Sequence, residues 1–185
     1  MTLNNNMVIT IYVKRKSYGA MDFFVLAMVS RGGLHSLYDL QQQVGLQPGG
    51  IHPVLKKLEQ AGFLGRSKQQ KRRRRLMTVT QEGEHFLNEE WHECQDDYGD
   101  VESVLRAATV GILMGDVPRT CRYLLEIAKQ HDKAVPGAQE MPKEKGLFAA
   151  EWYQHVRWHW ESSRRKSAAS VFREIAKELE DTKRS

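Results

Sequence analysis

Cysteine is almost missing from this chain. Cys94 and Cys121 are its two examples among 185 residues, and they form neither a disulfide framework nor a metal-ligand pattern. Both stand in helix-like, partly apolar sequence and are read as reduced thiols of a cytoplasmic protein. Long apolar runs are missing too. Nothing approaches the roughly 18 residues that span a bilayer, so no transmembrane helix and no membrane partner are expected. The opening MTLNNNMVITIYVKRKS places a β-branched stretch ahead of its charges. That reverses the order of a secretory signal, so export is not expected. No internal repeat is visible.

What is present is a globular composition, 41% hydrophobic and 28% charged, in a chain long enough for one domain or a small domain with a helical extension. The charge is unevenly placed. Residues 1–85 carry 13 Lys and Arg against 5 Asp and Glu, net +8, whereas residues 86–185 carry 15 against 18, net −3. A basic half joined to a mildly acidic one points to a polyanionic partner, weighed against an ordinary solvated surface.

Periodicity supplies the elements. Residues 18–29 (YGAMDFFVLAMV) are apolar on several sides, as in a buried helix, and Arg31-Gly32-Gly33 stops them. Ser36 can cap a second helix with Leu37, Leu40 and Val44 on one face. A turn at 45–49 (GLQPG) leads to a third helix, with Ile51, Val54, Leu55 and Leu58 as its inner stripe and Pro53 expected in its first turn. Gly50, His52, Pro53, Lys56, Lys57 and Gln60 are left facing out. Residues 63–68 and 74–80 suit two strands of a hairpin with a cationic tip. Thr80 caps a fourth helix carrying Phe86, Leu87, Trp91, Cys94 and Tyr98. Further on, Asp100 can cap a helix with Val101, Val104, Leu105 and Ala108, and Pro118 opens another with Cys121, Leu124, Leu125 and Ala128. Residues 132–146 read as a connection. A last helix from about 147 to 181, with an interruption considered at Ser162-Ser163, carries Ala168, Val171, Phe172, Ile175 and Leu179.

The expected fold class is mainly α: a winged helix-turn-helix domain with a small β-hairpin wing, followed by a helical C-terminal region. The expected divisions are an N-terminal extension at 1–17, the winged helix at 18–98 and a helical dimerisation or effector region at 99–185. In the extension, residues 8–13 alternate weakly and precede Lys14-Arg15-Lys16, either as an extra strand or as a basic arm. The third helix is narrow enough for the major groove of double-stranded DNA. The candidate DNA-binding residues are Ser36, Gly49, Gly50, His52, Pro53, Lys56 and Lys57, with Lys71, Arg72, Arg73, Arg74 and Arg75 on the wing. Lys68 and Arg66 precede that run, whose cations suit the backbone or the minor groove.

Residues 46–64 (LQPGGIHPVLKKLEQAGFL) resemble the recognition-helix signature of the PadR family of regulators. Residues 74–83 (RRLMTVTQEG) are similar to that family's second wing strand and next helix start, and 34–40 (LHSLYDL) to its second helix. The related MarR family shares the wing-to-helix ending, but the Pro-Gly before the helix and Pro53 within it favour PadR. Gly50, His52, Leu76 and Met77 stand where PadR members usually carry serine, tyrosine and two aromatics. The resemblance implies a cytoplasmic homodimeric repressor, not an enzyme, acting at a palindromic operator without a cofactor.

Two other readings remain open. Glu151, His155 and His159 share one helical face, which would suit a zinc-dependent enzyme, although no HExxH order supplies a general base. A winged helix retained as a protein-interaction adaptor is opposed by the wing arginines. Trp91, Trp152, Trp158 and Trp160 offer either core packing or a pocket for a planar aromatic effector.

Overall fold

A computed structural model describes residues 18–67, 76–95, 100–134 and 149–184, with 149–158 and 183–184 described as helical backbone alone. The N-terminal extension 1–17 lies outside the described residues, as does most of the 132–146 connection. Two compact units divide the chain, Met1–Asp116 and Val117–Ser185.

The first unit is built around α1 (Ala20–Ser30). Its buried Ala20, Phe23, Phe24, Val25, Leu26, Ala27 and Val29 cover more than one face. They can do so because α3 (Pro48–Gln60), β2 (Met77–Val79), α4 (Gln81–Glu90) and α5 (Val101–Leu113) all pack against this helix. Between α1 and α3 lies α2 (Leu37–Val44). Ser36 caps it by accepting the Asp39 N–H at 3.2 Å. Gly45 ends it at φ +67°, a left-handed conformation that glycine adopts without a Cβ penalty, and donates its N–H to the Gln41 carbonyl.

Strand β1 (Leu64–Arg66) pairs antiparallel with β2 in the register Leu64 to Val79, Gly65 to Thr78 and Arg66 to Met77. Of the runs 63–68 and 74–80, Lys68, Arg74 and Arg75 lie outside the described residues, and Phe63, Ser67, Leu76 and Thr80 flank the strands. One further pair prolongs the ladder: Ser67 donates its N–H to the Leu76 carbonyl at 2.9 Å, and the Leu76 N–H returns to Ser67 Oγ at 3.0 Å. On the opposite edge of β2, the Met77 N–H reaches the His35 carbonyl at 2.7 Å, tying the α1–α2 connection to the wing.

The fourth helix is shorter than its pattern. Regular α-helix stops at Glu90 and tightens into a 3₁₀ turn, Trp91–Gln95, that buries Cys94 and Gln95. Asp100 caps α5 by accepting the Ser103 N–H at 2.8 Å, and that bond holds its carboxyl below the usual carboxylate range. Composition divides the chain at 98/99, whereas packing keeps α5 with α1: Val104, Ala107, Ala108, Val110 and Gly111 are buried in the first unit.

The second unit pairs α6 (Val117–Lys133) with α7 (Ala149–Arg184). The two helices run antiparallel. Cys121 Sγ donates to the Ala176 carbonyl, the His131 ring lies 5.7 Å from that of Phe172, and Arg173 pairs with Asp132. Helix α7 continues through Ser162-Ser163 for 36 residues, about 54 Å at 1.5 Å per residue. Serine is only mildly unfavourable in a helix, and neither Gly nor Pro stands there to stop it. Its buried row is Ala168, Ala169, Phe172 and Ala176, with Val171 exposed. On α6, Tyr123, Leu124 and Ile127 turn inward and Leu125 outward. Cys121, Leu124 and Ala128 of α6 and Ala168 and Phe172 of α7 are buried as their spacing predicts, whereas Leu125 and Val171 are exposed and Tyr123, Ile127, Ala169 and Ala176 are buried beside the expected rows. Among the described residues, no helix is long and apolar enough to cross a membrane.

Candidate nucleic-acid interface

The turn 45–47 delivers the chain to Pro48, whose restricted φ suits the first helical position and whose missing N–H would have had no intrahelical partner. The carbonyl of Gln47, the N-cap, receives the N–H groups of Gly50 and Ile51, each at 3.1 Å. Helix α3 then buries Ile51, Leu55 and Leu58 against the core. Val54, expected on the same stripe, is half-buried.

The opposite face is open. Gly49, Gly50, His52, Pro53, Lys56 and Gln60 are all exposed. A Cβ added at Gly49 or Gly50 would meet nothing within 4 Å, so internal packing does not require either glycine. What the pair creates is bare backbone at the exposed start of the helix, which a ligand can approach closely.

Pro53 corrects the sequence reading. Because α3 begins at Pro48, Pro53 lies in the second turn and removes the donor that would have served the Gly49 carbonyl. Gly49 is exposed, so water can take that role.

Two residues expected at the interface make contacts within the first unit. Ser36 is buried, with its hydroxyl accepting the Asp39 N–H and lying 2.7 Å from Asp39 Oδ2. Lys57, one residue from the exposed Lys56, places Nζ 2.8 Å from the buried Asp22 and 4.4 Å from the Tyr18 ring centroid. Arg66, ahead of the cationic run, pairs with Glu59 of α3 and so joins the wing's base to the helix. Sequence reasoning missed Tyr18, Asp22 and Glu59. One signal was available: Asp22 is a lone acid inside an apolar helix, and a buried charge requires a partner.

Lys71, Arg72, Arg73, Arg74 and Arg75, with Lys68 before them, lie outside the described residues. Their flanks are described. Ser67 and Leu76 are hydrogen-bonded to each other at the end of the ladder, and Leu76 is 51% exposed. The base of the wing is set by Thr80. Its N–H reaches the Phe63 carbonyl at 3.0 Å, and its hydroxyl donates to the Gly62 carbonyl at 2.6 Å while accepting the Gly83 N–H at 3.0 Å.

The other candidates stand partly in the first unit and partly on α7 of the second. Trp91 is half-buried in the first unit, whereas Trp160 in the second is exposed with Arg164 over its ring. The side chains of Trp152, Trp158, Glu151 and His155 lie outside the described residues, and His159 is exposed. Among the described residues, no group of three His, Cys, Asp or Glu could hold a metal ion.

No curated protein and no solved structure matches the chain. One family model does, over residues 20–76, a stretch that begins with α1 and ends at the returning edge of the wing. That model is the MarR family, whose members are winged-helix DNA-binding transcription regulators and not enzymes, and residues 20–76 are similar to it.

Proposed function

We propose that this protein is a sequence-specific transcription regulator, a homodimeric repressor that recognises a palindromic operator with a PadR-like form of the winged helix. The observation that carries the reading is the two-sidedness of α3. Ile51, Leu55 and Leu58 anchor it, while Gly49, Gly50, His52, Pro53 and Lys56 form an open face. A helix so exposed fits the major groove, where the glycine backbone approaches phosphate and His52 and Lys56 reach base edges. The wing cations Lys71, Arg72, Arg73, Arg74 and Arg75 then track the adjacent backbone or enter the minor groove. Residues 99–185 include the dimer contacts, and two-fold symmetry sets a half-site spacing of about 34–36 Å or a multiple of it. In the second unit, the exposed Trp160 is the described tryptophan best placed to report a planar aromatic effector by fluorescence quenching.

Selection of bound sequences from random duplex DNA, followed by salt titration, tests the reading. With roughly 4–6 phosphates neutralised per subunit, log affinity falls against log salt by about 0.9 per contact. Replacing Arg72, Arg73, Arg74 and Arg75 together by alanine is expected to weaken binding to every sequence and to flatten that slope. Unchanged affinity at several salt concentrations would remove the wing from the interface. Absence of DNA binding by the wild type would favour the adaptor reading.

A further inference from the structure

We propose that Lys57 serves DNA recognition as a positioning residue, holding α3 to α1 through Asp22 and Tyr18, and not as a phosphate contact. The inference rests on the DNA-binding reading of α3. Asp22 is 6% exposed in the first turn of α1, and its Oδ2 receives both the Gly19 N–H and Lys57 Nζ at 2.8 Å. Its Oδ1 is buried with no hydrogen-bond partner, so the ammonium is a principal compensation for this carboxylate. The Tyr18 ring covers the same ammonium at 4.4 Å. Tyr18 is itself seated on Phe86 and Phe63, with centroids 5.0 and 5.6 Å away, and Phe63 stacks on Phe86 at 4.4 Å. Lys57 is thus held by a carboxylate of α1 and by an aromatic cluster that also includes α4.

A second ion pair grips α3 two residues along, where Glu59 meets Arg66 of the wing's first strand. Successive helical residues are about 100° apart, so the Lys57 and Glu59 pairs restrain α3 from different directions around the buried stripe. A rotation of about 10° moves a group 5–6 Å from the helix axis by about 1 Å, enough to spoil a directional contact to a base edge. The neighbouring Lys56 is exposed and remains available to DNA.

The two roles of Lys57 predict opposite responses to Asp22→Asn. As a positioning partner, Asp22 is required: D22N and Lys57→Met should each lower affinity for the selected duplex by about tenfold, comparable to one mismatched base pair. Affinity for a random-sequence duplex and the salt slope should stay as in wild type, because no phosphate contact is lost. Lys57→Arg should recover most of the specific affinity, and amide exchange across residues 48–60 should be faster in K57M and D22N than in Lys56→Met. The double variant D22N/K57M leaves no unpaired charge and provides the same comparison if K57M does not fold. A phosphate contact would instead reduce the slope by about 0.9, weaken both duplexes in parallel and leave D22N at least as tight as wild type; that pattern overturns the proposal. Failure of wild type to bind any duplex overturns the DNA-binding reading with it, and is distinguishable because the variants are then not what fails.

Discussion

Gly83→Ala tests how tightly the wing is seated on α4. Gly83 is the third residue of that helix, and a Cβ there would lie 2.2 Å from the Phe63 carbonyl oxygen and 2.8 Å from Val79 Cγ1. Ordinary contact begins near 3.4 Å, so the helix start must move by more than 1 Å away from backbone that cannot swing aside. Such a movement pulls Thr80 from the Phe63 and Gly62 carbonyls and breaks its cap on Gly83. Overpacking of this kind costs about 1–3 kcal/mol and a lost N-cap about 1 kcal/mol, offset by up to about 1 kcal/mol of alanine's helix preference. The net loss is about 1–3 kcal/mol, equivalent to a midpoint lowered by roughly 4–12 °C for a unit of this size. Thermal unfolding by circular dichroism would measure it, and hydrogen exchange would locate the loss around residues 63–87. A variant that unfolds at or above the wild-type midpoint would refute the close approach.

Gly50→Ala makes the contrasting case: with open space around the position, stability should rise by up to about 1 kcal/mol in urea unfolding while DNA affinity falls. A variant with unchanged affinity would show that DNA does not approach this backbone. His131 is held below its usual 6.5 by burial first, then by Arg165 and Arg164. The unfolded chain therefore takes up this proton more readily than the folded one. The contribution of His131 to the second unit is complete above that value and declines as pH is lowered beneath it. His131→Gln should flatten this decline, and an equal offset from wild type at pH 5 and pH 8 would refute the assignment. Phe172→Ala empties a fully buried site between α7 and α6 and should cost about 3–4 kcal/mol, with exchange accelerated in the second unit and little changed in the first.

Much of the winged helix was legible in the sequence because its signals are local. Ser36 and Thr80 are caps whose partners lie three residues away, and Ile51, Leu55 and Leu58 repeat at the spacing of one helical face. The glycine turn and the strand-rich segments on either side of the basic run likewise depend on near neighbours. The C-terminal helices were legible as helices, and Cys121, Leu124, Ala128, Ala168 and Phe172 lie inside as their spacing required, but the edges of the two stripes were not legible. Leu125 and Val171 satisfy a 3.6-residue period as well as Ile127 and Ala169 do, so periodicity alone does not choose between them. The continuity of α7 was obscured by two serines, a residue only mildly unfavourable in a helix.

The sequence by itself determined the helix-turn-helix, the hairpin that follows it and the concentration of positive charge in the first half, because caps, turns and periodicity act within a few residues. Tertiary structure alone decided which side chains remain outside. Lys56 and Lys57 are adjacent and chemically identical. One is exposed, and the other is drawn to a carboxylate 35 positions earlier in the chain. Arg66 is likewise committed to Glu59, and α5 joins the first unit on the far side of the composition change. Burial of a charge is settled by whichever partner the packed helices bring within reach, and that partner is not a neighbour in sequence.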